Sequence, residues 1–325
     1  MDGLHSDIAI IGAGMAGLAC ATKLIEAGRD VRVFDKGRGP GGRMAARRAE
    51  VAGKTVRFDH GAQYFTARDA GFREAVAAWA EQGAVARWAA AEKSPEDAAW
   101  VGTPGMNGPI KAMADHVAET GREVLWSTRI ESLSNDGERW VLGAGDATYT
   151  ADIVLIAIPA EQAAELLSEA APSFAAKAAS VVSEPCWAVM AAFEERLPIE
   201  TDSLRDSDAP VSWAARNSAK PGRTGTEAWV LHASPARSRE VLDLPKEEVA
   251  PILLSDFFTQ AGGAPVEPAH LVAHRWLFAQ PGSLKDKPAY FDKTKRIGIA
   301  GDYLHSPRVE GAWVSGAALA SQVLG

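Results

Sequence analysis

Short apolar runs and one helix-forming segment alternate over the first 36 residues. Residues 7–11 and 31–34 are mostly apolar, and residues 15–27 between them are rich in helix formers and are followed by Gly28, a typical helix stop. A helix of this kind is the usual crossover between parallel strands, and strands buried on both faces read as continuous apolar runs. The pattern therefore predicts a strand–helix–strand unit of a parallel sheet.

Two later segments, residues 152–158 and 296–300, have the same apolar character. Because strands from both ends of the chain are expected to enter one sheet, we predict a discontinuous first domain in an α/β fold. Its predicted segments are residues 1–69, 105–160 and 290–325.

The middle of the chain has a different residue pattern. Its strand-like segments are rich in Trp and Val, namely residues 183–193, 211–215 and 227–233. Helical periodicity marks residues 70–88 and 247–260, and polar or Gly- and Pro-rich stretches predict loops over residues 94–98, 202–209 and 217–225. These segments predict an inserted α+β substrate domain with a mixed or antiparallel sheet, over residues 70–104 and 161–289.

Composition and charge narrow the class of protein. The chain has 325 residues, of which 47% are hydrophobic, enough for two soluble domains. Lys and Arg number 34 against 42 Asp and Glu, and the net charge of −8 argues against a nucleic-acid partner. No segment approaches the roughly 18 apolar residues of a membrane span. Two cysteines, Cys20 and Cys186, cannot build a disulfide framework or a four-cysteine metal site, so we expect a reducing, cytoplasmic compartment and no bound metal.

The turn after the first strand has the spacing Gly12-x-Gly14-x-x-Gly17. The first glycine allows the tight turn, the second lets the backbone approach a pyrophosphate, and the third allows the helix to pack closely on the strand. Backbone amides at the start of the helix, at Met15 and Ala16, then face the phosphates. The turn therefore predicts a dinucleotide cofactor and leaves NAD and FAD open.

The acid and the loop after the second strand extend this site. Asp35 ends the strand at the position where a carboxylate binds the adenosine ribose. Residues 36–44 form a Gly-rich loop whose cations include Lys36 and Arg43, and such a loop wraps a pyrophosphate more completely than a dehydrogenase needs. The loop therefore favours a long-lived, buried cofactor.

With these motifs the chain resembles the flavin amine oxidase superfamily, which binds FAD. The resemblance rests on the Gly12 to Gly17 turn, Asp35, the loop Gly41-Gly42-Arg43-Met44 and the late element Ala300-Gly301-Asp302. A closer resemblance, to the bacterial renalase-like branch, rests on Asp59-His60-Gly61-Ala62-Gln63-Tyr64-Phe65-Thr66, on Gly105-Met106-Asn107 and on Trp276 after His274-Arg275. It implies a Rossmann-like FAD-binding domain, with the isoalloxazine ring at the boundary with the substrate domain.

The resemblance also implies which residues hold FAD. The expected contacts of the pyrophosphate and ribityl chain are Gly41, Gly42, Arg43, Met44, Gly301 and Asp302. Those beneath the flavin ring, where small residues leave room for stacking, include Gly61, Ala62 and Gln63. Val124, in a strand predicted over residues 123–127, is expected at the adenine, and Gly311 and Ala312, before a helical run over residues 314–323, at the pyrimidine edge. The covalent members attach flavin through a late cysteine, and because none follows Cys186 we expect non-covalent FAD.

The candidates for the substrate pocket are Tyr64, Asn107, Asn217, His232 and Trp276. The rings of Tyr64 and Trp276 suit stacking on a flat substrate, and the amide of Asn107 suits a carboxamide. The resemblance places His232 near substrate, and Asn217 is expected to start a loop over the pocket. A packing role in the core is the alternative for the aromatic residues and His232, and a plain turn for Asn217.

The resemblance implies an FAD-dependent oxidase. The renalase-like activity takes hydride from the 2- or 6-dihydro isomers of NAD(P)H and passes electrons to O₂, giving NAD(P)⁺ and H₂O₂. The alternatives are a flavin-containing amine oxidase, a desaturase-type flavoenzyme and a flavin-binding module without turnover. Many amine oxidases hold a lysine near the flavin, for which Lys285 and Lys287 are the sequence candidates. The expected partners are a small-molecule substrate, either a reduced nicotinamide nucleotide or an amine, and O₂, without a membrane; the oligomeric state stays open.

Overall fold

The computed structural model describes residues 4–92, 94, 97–223 and 225–325. In the loops predicted over residues 94–98 and 217–225, positions 95, 96 and 224 lie outside the described residues. The helices are α1 (Met15–Glu26), α2 (Ala70–Glu81), α3 (Gly108–Glu119), α4 (Ala160–Leu167), α5 (Pro172–Ala179), α6 (Pro235–Glu240), α7 (Lys246–Ala261) and α8 (Val309–Leu324).

The strands are β1 (His5–Ile11), β2 (Val31–Phe34), β3 (Ala46–Val51), β4 (Lys54–Asp59), β5 (Val85–Arg87), β6 (Trp100–Gly102), β7 (Glu123–Leu125), β8 (Ser132–Asn135), β9 (Trp140–Ala144), β10 (Ala147–Ile156), β11 (Ser183–Phe193), β12 (Ser203–Arg205), β13 (Val211–Arg216), β14 (Glu227–Ala233), β15 (His270–Pro281), β16 (Ala289–Asp292) and β17 (Ile297–Ala300).

An eight-stranded sheet joins the two ends of the chain. Its main order is β16–β17–β10–β1–β2–β7, and β9 and β8 extend it through antiparallel pairing to β10. Strands β17, β10, β1, β2 and β7 are parallel to their neighbours within this series, and β16 is antiparallel to β17. The predicted parallel, Rossmann-like sheet, with strands from both chain ends, is confirmed.

Both faces of β1 are buried, which explains its continuous apolar sequence. Ile8 and Ile10 belong to the hydrophobic cluster with α1, α3 and α8, and Ala9 and Ile11 belong to the cluster with α4 and α5. The sheet is therefore a middle layer with helices on each side.

The molecule has a second large sheet, which is antiparallel and has five strands. Its order is β12–β13–β14–β11–β15. One face packs on α7, where alternate residues of β11 such as Val189 and Phe193 meet Leu253. The opposite face packs in part on the β3–β4 hairpin, through Met190 and Phe58. The remainder of that face is available to line a cavity.

Several predicted boundaries were wrong. The helix predicted over residues 70–88 ends at Glu81, because Gly83 adopts a left-handed φ of +71° and the chain then pairs as β5 with β6. The loop predicted over residues 202–209 contains the short strand β12. This strand forms because it pairs with β13, since its own polar sequence does not indicate a strand. The last helix, predicted from residue 314, begins at Val309.

The two sheets separate along the chain. All strands of the eight-stranded sheet lie within residues 1–69, 105–160 and 290–325, except that β16 begins at Ala289, and the five-stranded sheet lies within residues 161–289. The division into two domains is compatible with this separation, and its boundaries stay a prediction. Among the described residues, no helix is both long and apolar enough to cross a bilayer.

Candidate active site

A cavity of about 2160 Å³ lies between the carboxyl ends of the parallel strands and the free face of the five-stranded sheet. Its lining runs from Gly12 and Asp35 at the parallel strands to His232 and Trp276 on the antiparallel sheet. Pockets for single small ligands are usually about 300–1,000 Å³, so this cavity has room for a dinucleotide and a substrate together. The carboxyl edge of a parallel sheet is also where open α/β folds bind ligands.

The turn between β1 and α1 forms an anion site at a helix N-terminus. Gly12 has a φ of +107° and its amide donates to the carbonyl of Phe34 at 2.7 Å. The first α1 hydrogen bond runs from the amide of Leu18 to the carbonyl of Gly14 at 3.0 Å, so the amides just before Leu18 have no acceptor within the helix. A Cβ on Gly14 would meet no heavy atom within 4 Å. The turn is thus open where a phosphate would approach.

Asp35 lines the cavity, and backbone amides fix its carboxylate. Oδ2 accepts from the amide of Ala13 at 2.7 Å, and Oδ1 accepts from the amide of Gly37 at 2.6 Å. Lys36 beside it donates to Gln162 Oε1 at 2.9 Å, and partial burial followed by the charge of Arg129 lowers the pKa of its ammonium group. The carboxylate is held in one orientation at the end of β2.

Three separate segments meet at the middle of the cavity. Arg43 Nη2 lies 2.7 Å from Asp302 Oδ1, and the carboxylate also accepts from the amide of Tyr303 at 3.0 Å. The amide of Ala62 donates to the carbonyl of Arg43 at 2.8 Å, and a Cβ on Gly61 would overlap that same carbonyl. The Gly-rich loop, the segment after β4 and the end of β17 therefore form one surface.

A buried ionic cluster lies behind this surface, and the sequence did not predict it. Lys220 Nζ lies 3.1 Å from Asp59 Oδ2 and donates to Gln63 Oε1 at 3.0 Å, and Arg223 Nη2 lies 2.5 Å from the same Asp59 oxygen. Burial lowers the pKa of Lys220 to about 8, against the opposing effect of Asp59. Burial alone would raise the pKa of Asp59, but the charges of Lys220 and Arg223 outweigh it and hold that pKa below its usual value. The cluster orients the amide of Gln63 at the cavity wall.

Two histidines beside Gln63 are held neutral. Burial lowers the pKa of His232 to about 4, and burial together with His274 and Arg47 lowers the pKa of His60 to about 4. His232 Nε2 lies 3.3 Å from both the carbonyl oxygen of His60 and the amide nitrogen Nε2 of Gln63. Neither ring therefore adds a charge to the cavity near pH 7.

Trp276 lines the cavity from β15, an edge strand of the five-stranded sheet. Its indole Nε1 donates to the carbonyl of His60 at 2.8 Å, and its ring lies 5.1 Å from the ring of His60. Cys186, which pairs with Trp276 across β11 and β15, also lines the cavity, and burial raises the pKa of its thiol to about 12. The indole is held in a fixed orientation beside an unreactive thiol.

An aromatic pair lines the cavity toward the opposite edge of the same sheet. The rings of Tyr64 and Trp213 lie 5.4 Å apart at an angle of 34°. Arg205 covers both rings, with its Cζ 5.3 Å from the Tyr64 centroid and 4.8 Å from the Trp213 centroid, and its Nη2 donates to the Tyr64 hydroxyl at 2.8 Å. Trp213 and Arg205 were not among the sequence candidates, because only the pairing of β12 with β13 brings them to Tyr64.

Most of the predicted cofactor residues line the cavity, namely Gly12, Gly14, Met15, Ala16, Asp35, Lys36, Gly41, Gly42, Arg43, Met44, Gly61, Ala62, Gln63, Gly301, Asp302 and Ala312. The predicted substrate residues that line it are Tyr64, Asn107, His232 and Trp276. Asn107 also donates to the carbonyl of Pro40 at 3.1 Å, which ties it to the Gly-rich loop. Their individual roles stay predictions.

The structure does not bring the other predicted residues to the cavity lining. Asn217 is fully buried, accepts from the amide of Asp59 at 3.2 Å and donates to the carbonyl of Arg57 at 2.6 Å, so it supports β4. Val124 pairs with Val33 at the edge of the sheet, where β7 is the last strand. Gly17 and Gly311 are contact points where a Cβ would overlap the backbone of neighbouring residues.

The two lysines proposed from the sequence as flavin neighbours also lie elsewhere. Lys285 and Lys287 are exposed and do not line the cavity. The buried lysine near the candidate ring site is Lys220, which bonds to Gln63 rather than lining the cavity itself.

The fold and the cavity together define a dinucleotide-dependent oxidoreductase. Residues 10–79 match the NAD(P)-binding Rossmann-like domain, and residues 88–324 match the family described as flavin containing amine oxidoreductase. The chain belongs to this flavin-containing amine oxidoreductase family, and the protein is an FAD-dependent oxidoreductase.

Solved structures share the fold over the full length of the chain. The protein named "Putative protoporphyrinogen oxidase" from Exiguobacterium sp. 255-15 is 14% identical with a TM-score of 0.75, over 97% of this chain and 98% of that one. Wild-type putrescine oxidase bound to putrescine is 14% identical with a TM-score of 0.68, over 99% of each chain. Cyclohexylamine oxidase from Brevibacterium oxydans IH-35A is 14% identical with a TM-score of 0.61, over 98% of this chain and 100% of that one. At this identity the likeness establishes the fold.

The residues present fit FAD. The turn at Gly14 leaves an open approach to free helix amides, which suits the pyrophosphate, and Arg43 adds a cation to the same cavity. The carboxylates of Asp35 and Asp302 line the cavity as acceptors for ribose and ribityl hydroxyls. The small residues Gly61 and Ala62 line the same cavity, and small residues leave room for a stacked ring.

Proposed function

We propose that the protein oxidises the 2- and 6-dihydro isomers of NAD(P)H, as in the renalase-like branch that its motifs resemble. The balanced reaction is dihydronicotinamide nucleotide plus O₂ plus H⁺ giving NAD(P)⁺ and H₂O₂. FAD, when bound, supplies the acceptor for the hydride and returns two electrons to O₂. The polypeptide binds and orients the substrate and excludes water.

The observation that carries the proposal is the cation of Arg205, which stacks on two rings of the cavity lining, Tyr64 and Trp213. Arg205 covers the faces of Tyr64 and Trp213 that would otherwise attract an ammonium group. The nearby carboxylate of Asp97 is paired with Arg68 at 2.7 Å. A cationic amine would therefore be repelled by this arginine. A neutral, flat dihydronicotinamide ring would not be repelled.

Two other residues of the cavity lining, His232 and Trp276, suit a dihydropyridine ring because neither of them carries a charge. His232 stays uncharged near pH 7, and Trp276 offers an aromatic face whose orientation is fixed by its bond to the carbonyl of His60. A ring that becomes a cation during oxidation would be repelled by a protonated histidine in van der Waals contact, so neutral imidazoles favour the reaction. We assign ring binding to Tyr64 and Trp276 and carboxamide binding to Asn107.

The test is anaerobic stopped-flow absorbance of the FAD-loaded protein. The substrates are borohydride-isomerised NADH, ordinary NADH and a panel of amines, with free FAD at the same concentration as the control. We expect fast bleaching of the flavin by the 2- and 6-dihydro isomers alone, and recovery with H₂O₂ formation on admitting air. Bleaching by an amine alone would assign the amine oxidase alternative, and no bleaching would leave a desaturase-type enzyme or a flavin-binding module.

Substitutions separate substrate binding from cofactor binding. We expect Tyr64→Ala and Trp276→Ala to weaken binding of the dihydronicotinamide by roughly 10-fold, the loss of about one aromatic contact. Affinity for FAD should change much less. An unchanged reduction rate and apparent affinity in both variants would reject the assigned roles.

A further inference from the structure

A row of side chains crosses the cavity face of the five-stranded sheet and ends in a cation at its edge. The strand register pairs Arg205 with Trp213, and Trp213 with His232. Directly paired residues on neighbouring antiparallel strands point to the same face of a sheet. Because β12 is the edge strand and Arg205 is exposed, the row runs from the half-buried His232 to a guanidinium that stacks on two cavity-lining rings, those of Tyr64 and Trp213.

Arg205 has donors to spare beside these rings. A guanidinium carries five N–H groups, and the Tyr64 hydroxyl accepts from only one of its terminal nitrogens, Nη2, at 2.8 Å. Within the described part of the chain no carboxylate pairs with it, and the stacking on Tyr64 and Trp213 holds the plane of the group in place. The indole Nε1 of Trp213 is a second donor that is buried without a partner among the described residues.

Two carboxylates that line the same cavity are already occupied. Asp97 pairs with Arg68 at 2.7 Å, and Glu310 accepts from the amides of Arg68 and Asp69 at 2.5 and 2.6 Å. Tyr64 and Trp213 therefore present neutral aromatic rings to the cavity, with a cation that has no carboxylate partner among the described residues stacked on them. A ligand with a flat ring and an anionic tail complements both the rings and the cation.

We propose that Arg205 is a specificity-determining residue that binds a phosphate of the nicotinamide nucleotide; the inference rests on the proposed function and names how its site selects nucleotides. A guanidinium fork matches two phosphate oxygens, and such charge-assisted hydrogen bonds are stronger than neutral ones. The dihydronicotinamide ring lies further in, so Arg205 touches no reacting atom. It acts on substrate affinity and not on the hydride step.

Binding of three oxidised ligands to the FAD-loaded enzyme tests this assignment. NAD⁺ and nicotinamide mononucleotide carry phosphate, and nicotinamide riboside has the same ring and ribose without it. Dissociation constants are taken from the change in flavin absorbance for the wild type, Arg205→Gln, Arg205→Lys and Arg196→Gln. Arg196 is the matched control, because it is an exposed arginine whose charge is already paired, with Asp202 at 3.5 Å.

Loss of one charge-assisted hydrogen bond predicts that Arg205→Gln weakens NAD⁺ and the mononucleotide about 10-fold. The riboside should change by less than about 2-fold, Arg205→Lys should recover part of the loss, and Arg196→Gln should change none of them. In turnover of the 6-dihydro isomer, KM should rise by the same factor while kcat stays the same.

The outcomes separate this inference from the proposed function. If Arg205→Gln weakens the riboside as much as the nucleotides, the residue only supports the aromatic rings and the phosphate assignment is overturned. Unchanged affinities for all three ligands would also overturn it, while turnover of the dihydro isomers would leave the proposed function standing. If the wild type neither binds these ligands nor oxidises the isomers, both the proposed function and the role of Arg205 are rejected.

Discussion

The glycines of the β1–α1 turn differ in what a side chain would meet, and this makes Gly14 a clean test of the phosphate site. A Cβ on Gly14 would have no heavy atom within 4 Å, and its backbone, at φ −82° and ψ −170°, is open to any residue. A Cβ on Gly17 would instead overlap the carbonyl oxygen of Gly12. We therefore expect Gly14→Val to keep the fold and lose FAD, and Gly17→Ala to destabilise the chain itself.

The magnitudes follow from the contacts at the helix end. If the valine side chain displaces a phosphate from two free amides, the loss of two charge-assisted hydrogen bonds at about 1.5 kcal/mol each weakens FAD binding roughly 100-fold. The free energy of unfolding of apo Gly14→Val should stay within about 0.5 kcal/mol of the wild type, as for substitutions without a structural conflict. Gly17→Ala should cost about 1–3 kcal/mol through overpacking.

Two measurements on apoprotein check this prediction. Titration with FAD, followed by quenching of the free flavin fluorescence, gives the dissociation constant, and urea unfolding followed by circular dichroism gives the stability. Gly14→Val that stays yellow with the affinity of the wild type would refute the phosphate assignment. Equal destabilisation by Gly14→Val and Gly17→Ala would show that the first variant acts through the fold.

Two further predictions concern buried titratable groups. The pKa of His60 is about 4 in the fold against 6.5 ordinarily, so the unfolded chain binds more protons between these values and stability falls as the pH falls through this window. From pH 7.5 to 5.0 this group should cost about 2 kcal/mol, and His60→Phe should flatten the pH dependence of urea unfolding by that amount, whereas parallel pH profiles would contradict the assignment. Asp59→Asn leaves Lys220 and Arg223 as uncompensated buried cations and should cost about 3–5 kcal/mol in urea unfolding, more than Lys220→Met, which keeps the pair of Asp59 with Arg223; the reverse order would contradict the cluster.

The part of the site that was predictable from the sequence is the part whose chemistry is local. The turn at Gly14, the helix amides after it and Asp35 lie within one strand–helix–strand unit, so the spacing of a few residues specifies their geometry. The apolar runs of β1 and β10 likewise predicted the parallel sheet, because strands that are buried on both faces have continuous apolar sequences.

The residues that were missed depend on pairing between distant segments. Lys220 and Asp59 are 161 positions apart, and a polar, Pro- and Gly-containing stretch around Lys220 is typical of an exposed loop. We predicted a loop at Arg205, because the three residues of β12 are flanked by polar residues and have no strand pattern of their own. Only the register with β13 brings its guanidinium over Trp213.

Asn217 shows how a motif residue can serve the site without entering it. Its amide bonds to the backbone of Arg57 and Asp59, and Lys220, three residues on, bonds to Asp59 and Gln63. The loop that was expected over the pocket therefore holds the segment after β4 from behind, at the point where it presents Gln63 to the cavity. Since that segment is also bonded to the Gly-rich loop in front, through the amide of Ala62, its position is fixed from both sides before any ligand binds. We predicted from the family resemblance that the flavin ring lies on this segment, and a wall preorganised in this way would need no reorganisation on binding, in keeping with the expectation of tight, non-covalent FAD.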